Sequence, residues 1–318
     1  MITDVYFARK AQYRLIAYEN ALQQNVFLQI DKYDYAPQIV NTTICDKNQY
    51  SIEDILKNYL EYDIIKKEKK EIGIKYKHIW KPLMNVNISS ELDFSIVELC
   101  RAKRDLAILI QKLQEILLYV EPSTEGLKTF SHKIKELLIL TCTDIENNFK
   151  FYKFGKNERT SDYIKILNFV DLTKYNISLI GYANSFKCCP FLNWNSKETT
   201  QSLPWYHAYT QLKHDSLNNF HLATLENCLN AIAAKLILFA VRYAPMSLYN
   251  EFDTCSQLAR SSLDYSIEDT DDIYIPIIEG KRSYSGAFTV PFHCHNGKVI
   301  KNIYDIANTL PFIEKVVK

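Results

Sequence analysis

The residues from Leu203 to Ala244, LPWYHAYTQLKHDSLNNFHLATLENCLNAIAAKLILFAVRYA, hold the longest apolar run in a chain of 318 residues. The helix they predict, from about Phe220 to Tyr243, is interrupted by Glu226, Asn227, Asn230 and Lys235, and is otherwise so apolar that most of its circumference must be covered. The rest of the chain has to build a cage around it. Pro245 stops this helix. A shorter helix ending near His214 leads into it, so polar side chains gather at the mouth of the expected core. The run is too short and too interrupted to span a bilayer.

Glycine is scarce, with 7 in the whole chain, and aromatic residues reach 13% with 22 tyrosines. Few glycines mean few tight hairpin turns, which favours helices. A net charge of +1 gives no global attraction to nucleic acid or to an anionic membrane, so any such binding must use a local patch. The eight cysteines form no CxxC pair, and Cys100, Cys142 and Cys228 fall among aliphatic residues of expected helices. That pattern suits free thiols of a reducing compartment. The N-terminus, MITDVYFARKAQYRL, lacks the apolar stretch of a secretion signal, and the expected location is cytoplasmic.

Asp4 can cap an opening helix with Ala8, Ala11, Leu15, Tyr18, Leu22 and Val26 at three-and-four spacing. Pro37, Asn41, Thr42, Thr43 and Asp46 mark a loop between Tyr33 and Gln49. Ser51 and Asp54 form a capping box for a helix of about twenty residues that ends in the basic run Lys66 to Lys70. Ile72 to Trp80 alternates as a strand does. Glu98 to Val120 carries the clearest amphipathic stripe: Leu99, Ala102, Leu106, Leu109, Leu113, Leu117 and Val120. A second long helix, about Thr124 to Tyr152, follows Pro122 and pairs with the first as an antiparallel hairpin. Phe154 to Ser202 reads as an excursion with a helix near Asp162 to Leu172. Ile273 to Ile278 and Ala287 to Cys294 look like strands. The expected fold is mainly α, a helical bundle with a small antiparallel β appendage. Its expected divisions are 1–90, an N-terminal helical region with a short strand; 91–250, the bundle; and 251–318, an α+β appendage.

No phosphate-cradling glycine loop, HExxH or GxSxG is present. His207, His214 and His221 recur every seven residues, but a spacing of seven separates helical side chains by about 10 Å, too far for one ion. His293 and His295 share one strand face and supply at most half a metal site. Lys213-His214-Asp215 stands at a helix junction, preceded by Trp205, Tyr206 and Tyr209. Lys213 can hold a phosphate while His214 moves a proton; alternatively, His214 and Asp215 only cap the two helices. His132 and Glu136, one turn apart on the second long helix, are candidate partners facing the same cleft.

WYHAYTQLKHD, Phe220 and ATLENCLNAIAA, following a hairpin that ends in LLILTCTDIE, resemble a group of uncharacterised bacterial helical proteins. More distantly they are similar to the HEPN superfamily, over roughly Glu98 to Ala244. The resemblance implies a dimerising helical bundle of defence or toxin type that acts on RNA as a metal-independent endoribonuclease. It implies His214 as the catalytic group, no cofactor, no membrane, and a homodimer or a protein partner encoded beside it. The family signature is an Arg followed, after four to six residues, by a His at the start of the last bundle helix. None of the eight arginines here stands at that distance before a His, and Lys213 takes that place as a point charge. The alternative expectation is a non-catalytic interaction, antitoxin or scaffold protein.

Overall fold

The computed structural model describes residues 1–11, 13–33, 36–46, 50–84, 92–156, 158–182, 186–248, 253–267, 272–275, 293–295 and 298–300. The chain divides into two compact units: residues 1–75, 82–85 and 273–318 form one, and 76–81 with 86–272 the other.

The first unit corrects the mainly helical expectation. It holds a five-stranded antiparallel sheet of β1 (Ile2–Lys10), β2 (Tyr13–Glu19), β3 (Gln24–Tyr33), β4 (Ala36–Asp46) and β5 (Asp63–Glu71), in the order β4-β3-β2-β1-β5. With a three-stranded antiparallel sheet in the second unit, the protein is mixed α and β rather than a bundle with a small appendage. The opening helix is replaced by strands. Buried residues there come in unbroken runs, Val5 to Ala8, Leu15 to Tyr18 and Val26 to Leu28. Short runs rich in aromatic and β-branched residues suit strands covered on both faces.

Turns without glycine disguised these strands. Lys10 pairs with Tyr13 next to Ala11, which adopts φ 50°, and Gln23 closes the β2–β3 connection at φ 57°. Asn20 organises that second turn: its side-chain oxygen accepts from the backbone N–H of Leu22 at 3.0 Å and of Gln24 at 2.9 Å. The loop expected over residues 33–49 is largely β4, an edge strand, which tolerates Pro37.

Ser51 and Asp54 do form the expected capping box, yet α1 covers only Ile52–Asp54 and passes into a π-helical turn, Ile55–Tyr59. Glu61, at φ 55°, then turns the chain into β5, which pairs with β1 from Ile2↔Glu71 to Arg9↔Asp63. The free edge of β1 claims residues that by themselves favour a helix. The basic run therefore lies on a sheet edge. There Lys66 and Lys70 bracket Glu68 at 2.8 and 2.9 Å, and Lys67 meets Glu53 at 2.9 Å. Such charges discourage pairing with another chain. Ile52, Ile55, Leu56, Leu60, Tyr62, Ile72, Leu83, Ile273 and Ile275 complete this core.

The second unit contains α2 (Ile96–Leu117), α3 (His132–Phe151), α4 (Thr160–Tyr163), α5 (Pro204–His214), α6 (Leu225–Tyr243) and α7 (Thr254–Ser262). Ser95, Ser131 and Thr224 cap α2, α3 and α6, each side chain accepting from a backbone N–H three residues on. The apolar stripe predicted for α2 faces inward, as does the side of α3 that carries Ile134, Leu137, Leu138, Thr141, Ile145 and Phe149. α6 packs against α2, α3 and α5, and every residue from Ala231 to Tyr243 is buried. The chain thus cages its own apolar helix. A sheet of β6 (Tyr175–Leu179), β7 (Lys187–Cys188) and β8 (Leu263–Ile267), ordered β7-β6-β8, also contacts α6. The strand expected over Ile72 to Trp80 reduces to one bridge, Tyr76↔Ile79, around His78 at φ 65°.

Three cations buried in this unit tie its helices together. Lys103 of α2 donates to Asp253 (2.6 Å) and Ser256 (3.2 Å) at the start of α7. Lys235 of α6 meets Asp144 of α3 at 2.5 Å, and Arg242 of α6 pairs with Glu98 of α2.

β9 (His293–His295) and β10 (Lys298–Ile300) form a short antiparallel ladder. Residues 268–271, and most of the strands expected over 273–278 and 287–294, lie outside the described residues, as do the side chains of His293 and His295. Among the described residues no helix is long and apolar enough to cross a membrane.

Candidate functional site

Pro204 occupies the first turn of α5, where its missing N–H costs nothing. The helix ends at His214. As its residue types require, Asp215 to Asn219 breaks the chain: Asp215 accepts from the Asn218 backbone at 3.1 Å and its amide at 2.6 Å, while the Asn219 amide covers the Gln211 carbonyl at 3.3 Å and the Asp215 carbonyl at 2.9 Å. These hydrogen bonds from Asn218 hold the Asp215 carboxyl below its ordinary range.

The aromatic approach is core, not cleft. Trp205, Tyr206 and Tyr209 are all buried. The Trp205 indole donates to the Pro190 carbonyl at 2.9 Å and meets Phe191 edge to face. Tyr206 donates to Glu146 of α3 at 2.8 Å. Burial, then the Glu146 charge, pushes the Tyr206 phenol up, so it stays a donor.

Lys213 closes this network from the solvent side. Its ammonium stands 3.2 Å from the Tyr209 hydroxyl and 3.7 Å from Glu146, while its side chain is 58% exposed. The Tyr209 hydrogen bond and the Glu146 charge raise its pKa, so it remains a cation. Glu146 is the member that the periodicity concealed. It sits beside the buried Ile145, and only the packing of α3 on α5 reveals that it joins Tyr206 to Lys213.

His214 is exposed, and its ring forms no hydrogen bond among the described residues. Glu136 does not face it: Glu136 pairs with Lys112 of α2 at 2.9 Å. His132, at the start of α3, lies against Phe220 with ring centroids 4.8 Å apart. Lys135, which sequence reasoning passed over, reaches the loop after α5, donating to Ser216 at 3.1 Å and lying over Phe220 at 5.5 Å. The structure therefore gathers Lys213, Tyr209, Tyr206 and Glu146 in one cluster, and places His132 and Lys135 around Phe220. Among the described residues no three His, Cys, Asp or Glu side chains are grouped to share a metal ion.

The chain matches no protein-family model, no curated protein and no solved structure. The chemistry of these side chains must carry the functional reading.

Proposed function

We propose that the helical unit acts on RNA at the junction of α5 and α6, with His214 as its proton-transfer group. The observation that carries this reading is the open imidazole of His214, next in sequence to the exposed Lys213, at the end of a helix whose aromatic residues Trp205, Tyr206 and Tyr209 are packed away. In cleavage, the ribose 2′-hydroxyl would attack the adjacent phosphorus while His214 accepts its proton. The same imidazole would return a proton to the departing 5′-oxygen, and Lys213 would offset the charge that builds on the phosphate. The pair between Lys213 and Glu146 is long, 3.7 Å, and its Lys213 side is 58% exposed, so the ammonium can turn to a phosphate while Glu146 keeps its bond from Tyr206. The resemblance to dimeric endoribonucleases supports this reading, and the six free cysteines among the described residues fit the cytoplasmic setting that we propose with it.

The test is cleavage of a labelled RNA pool in the presence of a chelator. His214→Ala should abolish it while circular dichroism stays unchanged; undiminished cleavage by that variant overturns the assignment. The second reading, a non-catalytic interaction or scaffold protein, is favoured by the pairing of Lys213 with Glu146 and of Glu136 with Lys112. We also propose a homodimer, for which the buried α6 supplies no driving force. Light scattering should return about twice the 37.2 kDa of the chain, and a mass of one chain removes the dimer.

A further inference from the structure

α3 ends in Lys150-Phe151-Tyr152-Lys153-Phe154-Gly155-Lys156, aromatic residues interleaved with lysines, which the functional reading above leaves unused. Lys153 stops the helix at φ 51°, its N–H bonded to the Lys150 carbonyl at 3.1 Å. The reversal brings rings together: Tyr152 stacks on Phe154 with centroids 5.3 Å apart, and Phe154 stacks on Phe169 at 5.5 Å. This stack is half-buried and forms a rigid base.

Phe151 meets Tyr152 of this stack edge to face, with ring centroids 5.6 Å apart. It remains 40% exposed although the Arg242 guanidinium lies 3.3 Å from its ring centroid and His78 meets it edge to face at 4.8 Å. Arg242 is itself buried and locked to Glu98 and Tyr243. A ring backed by a fixed cation and still 40% exposed is a platform for another planar group. Lys153, Lys156 and Arg159 follow Phe151 within eight residues of the chain; all three are exposed, and none forms an ion pair among the described residues. Three exposed cations close in sequence to an exposed ring, with Glu158 among them 3.9 Å from Lys150, suit a chain that presents alternating phosphates and flat bases.

We propose that this end of α3 binds single-stranded RNA, with one base stacked on Phe151 and the backbone phosphates following Lys153, Lys156 and Arg159. The choice of RNA rests on the reading above, but the site is independent of His214 and lies at the end of α3 away from His132. The patch gives affinity without sequence preference, because stacking accepts any base.

The experiment is fluorescence anisotropy with a labelled oligouridine and the full chain. Three phosphate contacts to a single strand predict a slope of about −2 for log affinity against log salt. The triple variant Lys153→Gln, Lys156→Gln, Arg159→Gln removes exposed, unpaired side chains and should flatten that slope toward zero. Phe151→Leu keeps an apolar cover on Arg242 but no π face, and should weaken binding about tenfold. His214→Ala should bind as the wild type does, so loss of cleavage and loss of this site separate. No binding by the wild type, an unchanged slope in the triple variant, or unchanged affinity in Phe151→Leu overturns the proposal. So does equal affinity for blunt duplex RNA or a poly-glutamate peptide, neither of which offers free bases. Tighter binding of oligothymidine overturns the assignment to RNA.

Discussion

Removing either partner of the Lys235–Asp144 pair should have very unequal consequences. The Lys235 side chain is 4% exposed and that of Asp144 28% exposed, with 2.5 Å between them. At an effective dielectric of 20 their attraction is roughly 7 kcal/mol before the cost of leaving water is subtracted. Asp144→Asn strands an ammonium inside the helical unit, and breaking a buried pair this way costs about 3–5 kcal/mol. Lys235→Met keeps an unbranched stem in the same space, and the Asp144 side chain is 28% exposed, so its charge is less confined than that of Lys235 although the oxygen facing Lys235 is buried. That exchange should cost under about 1.5 kcal/mol. Because both variants remove the same pair, their difference measures which ion the interior holds. Urea unfolding of both singles and the double should place the double near Lys235→Met. The thermal midpoint of Asp144→Asn should fall by on the order of 10 °C. A Lys235→Met variant as damaged as Asp144→Asn would refute the asymmetry.

Acid should loosen the other two pins. At Glu98 burial alone would raise the pKa, but hydrogen bonds from Arg242 and Tyr243 outweigh it. At Asp253 burial is likewise outweighed, by Lys103 and Ser256, so both carboxyls titrate below their ordinary values of 4.5 and 3.8. Lowered folded pKa values contribute stability that is complete above the ordinary carboxylate range and lost as pH falls through the folded values. Melting temperature should therefore drop below about pH 4, and Glu98→Gln should blunt that drop. In the sheet unit, Gln23→Gly relieves a left-handed residue and should raise stability by about 1 kcal/mol in urea titration, whereas Asn20→Ala should lower it by at least that much. Burial holds the Cys142 thiol well above its usual range and pushes Cys228 up to about 12. A thiolate-selective reagent should thus modify exposed Cys100 in the native protein and reach Cys142 and Cys228 only on unfolding, as mapped by mass spectrometry.

Some of the candidate site was legible in the chain and some was not. The break at Asp215 to Asn219 and the position of His214 at a helix end followed from residue types that prefer caps to helix interiors. The orientation of Glu136 did not, because which face of α3 meets α2 and which meets α5 is set by packing. The same packing turned Trp205, Tyr206 and Tyr209 into core and brought Glu146 to Lys213.

Helices α2, α3 and α6 were determined by the sequence itself. The apolar positions of α2 and α3 repeat near 3.6 residues over five or more turns, α6 is apolar around most of its circumference, and Ser95, Ser131 and Thr224 cap the three by local hydrogen bonds, so distant parts of the chain need only cover them. The five-stranded sheet was decided by tertiary structure. Its runs are too short to declare a period, and its turns use Ala11, Gln23 and Asn20 where glycine would have marked a hairpin. The lysine-rich β5 is strand only because β1 offers it a free edge. A strand obtains its hydrogen bonds from a neighbour and a helix from itself, which is why the helices could be read in isolation and the sheet could not.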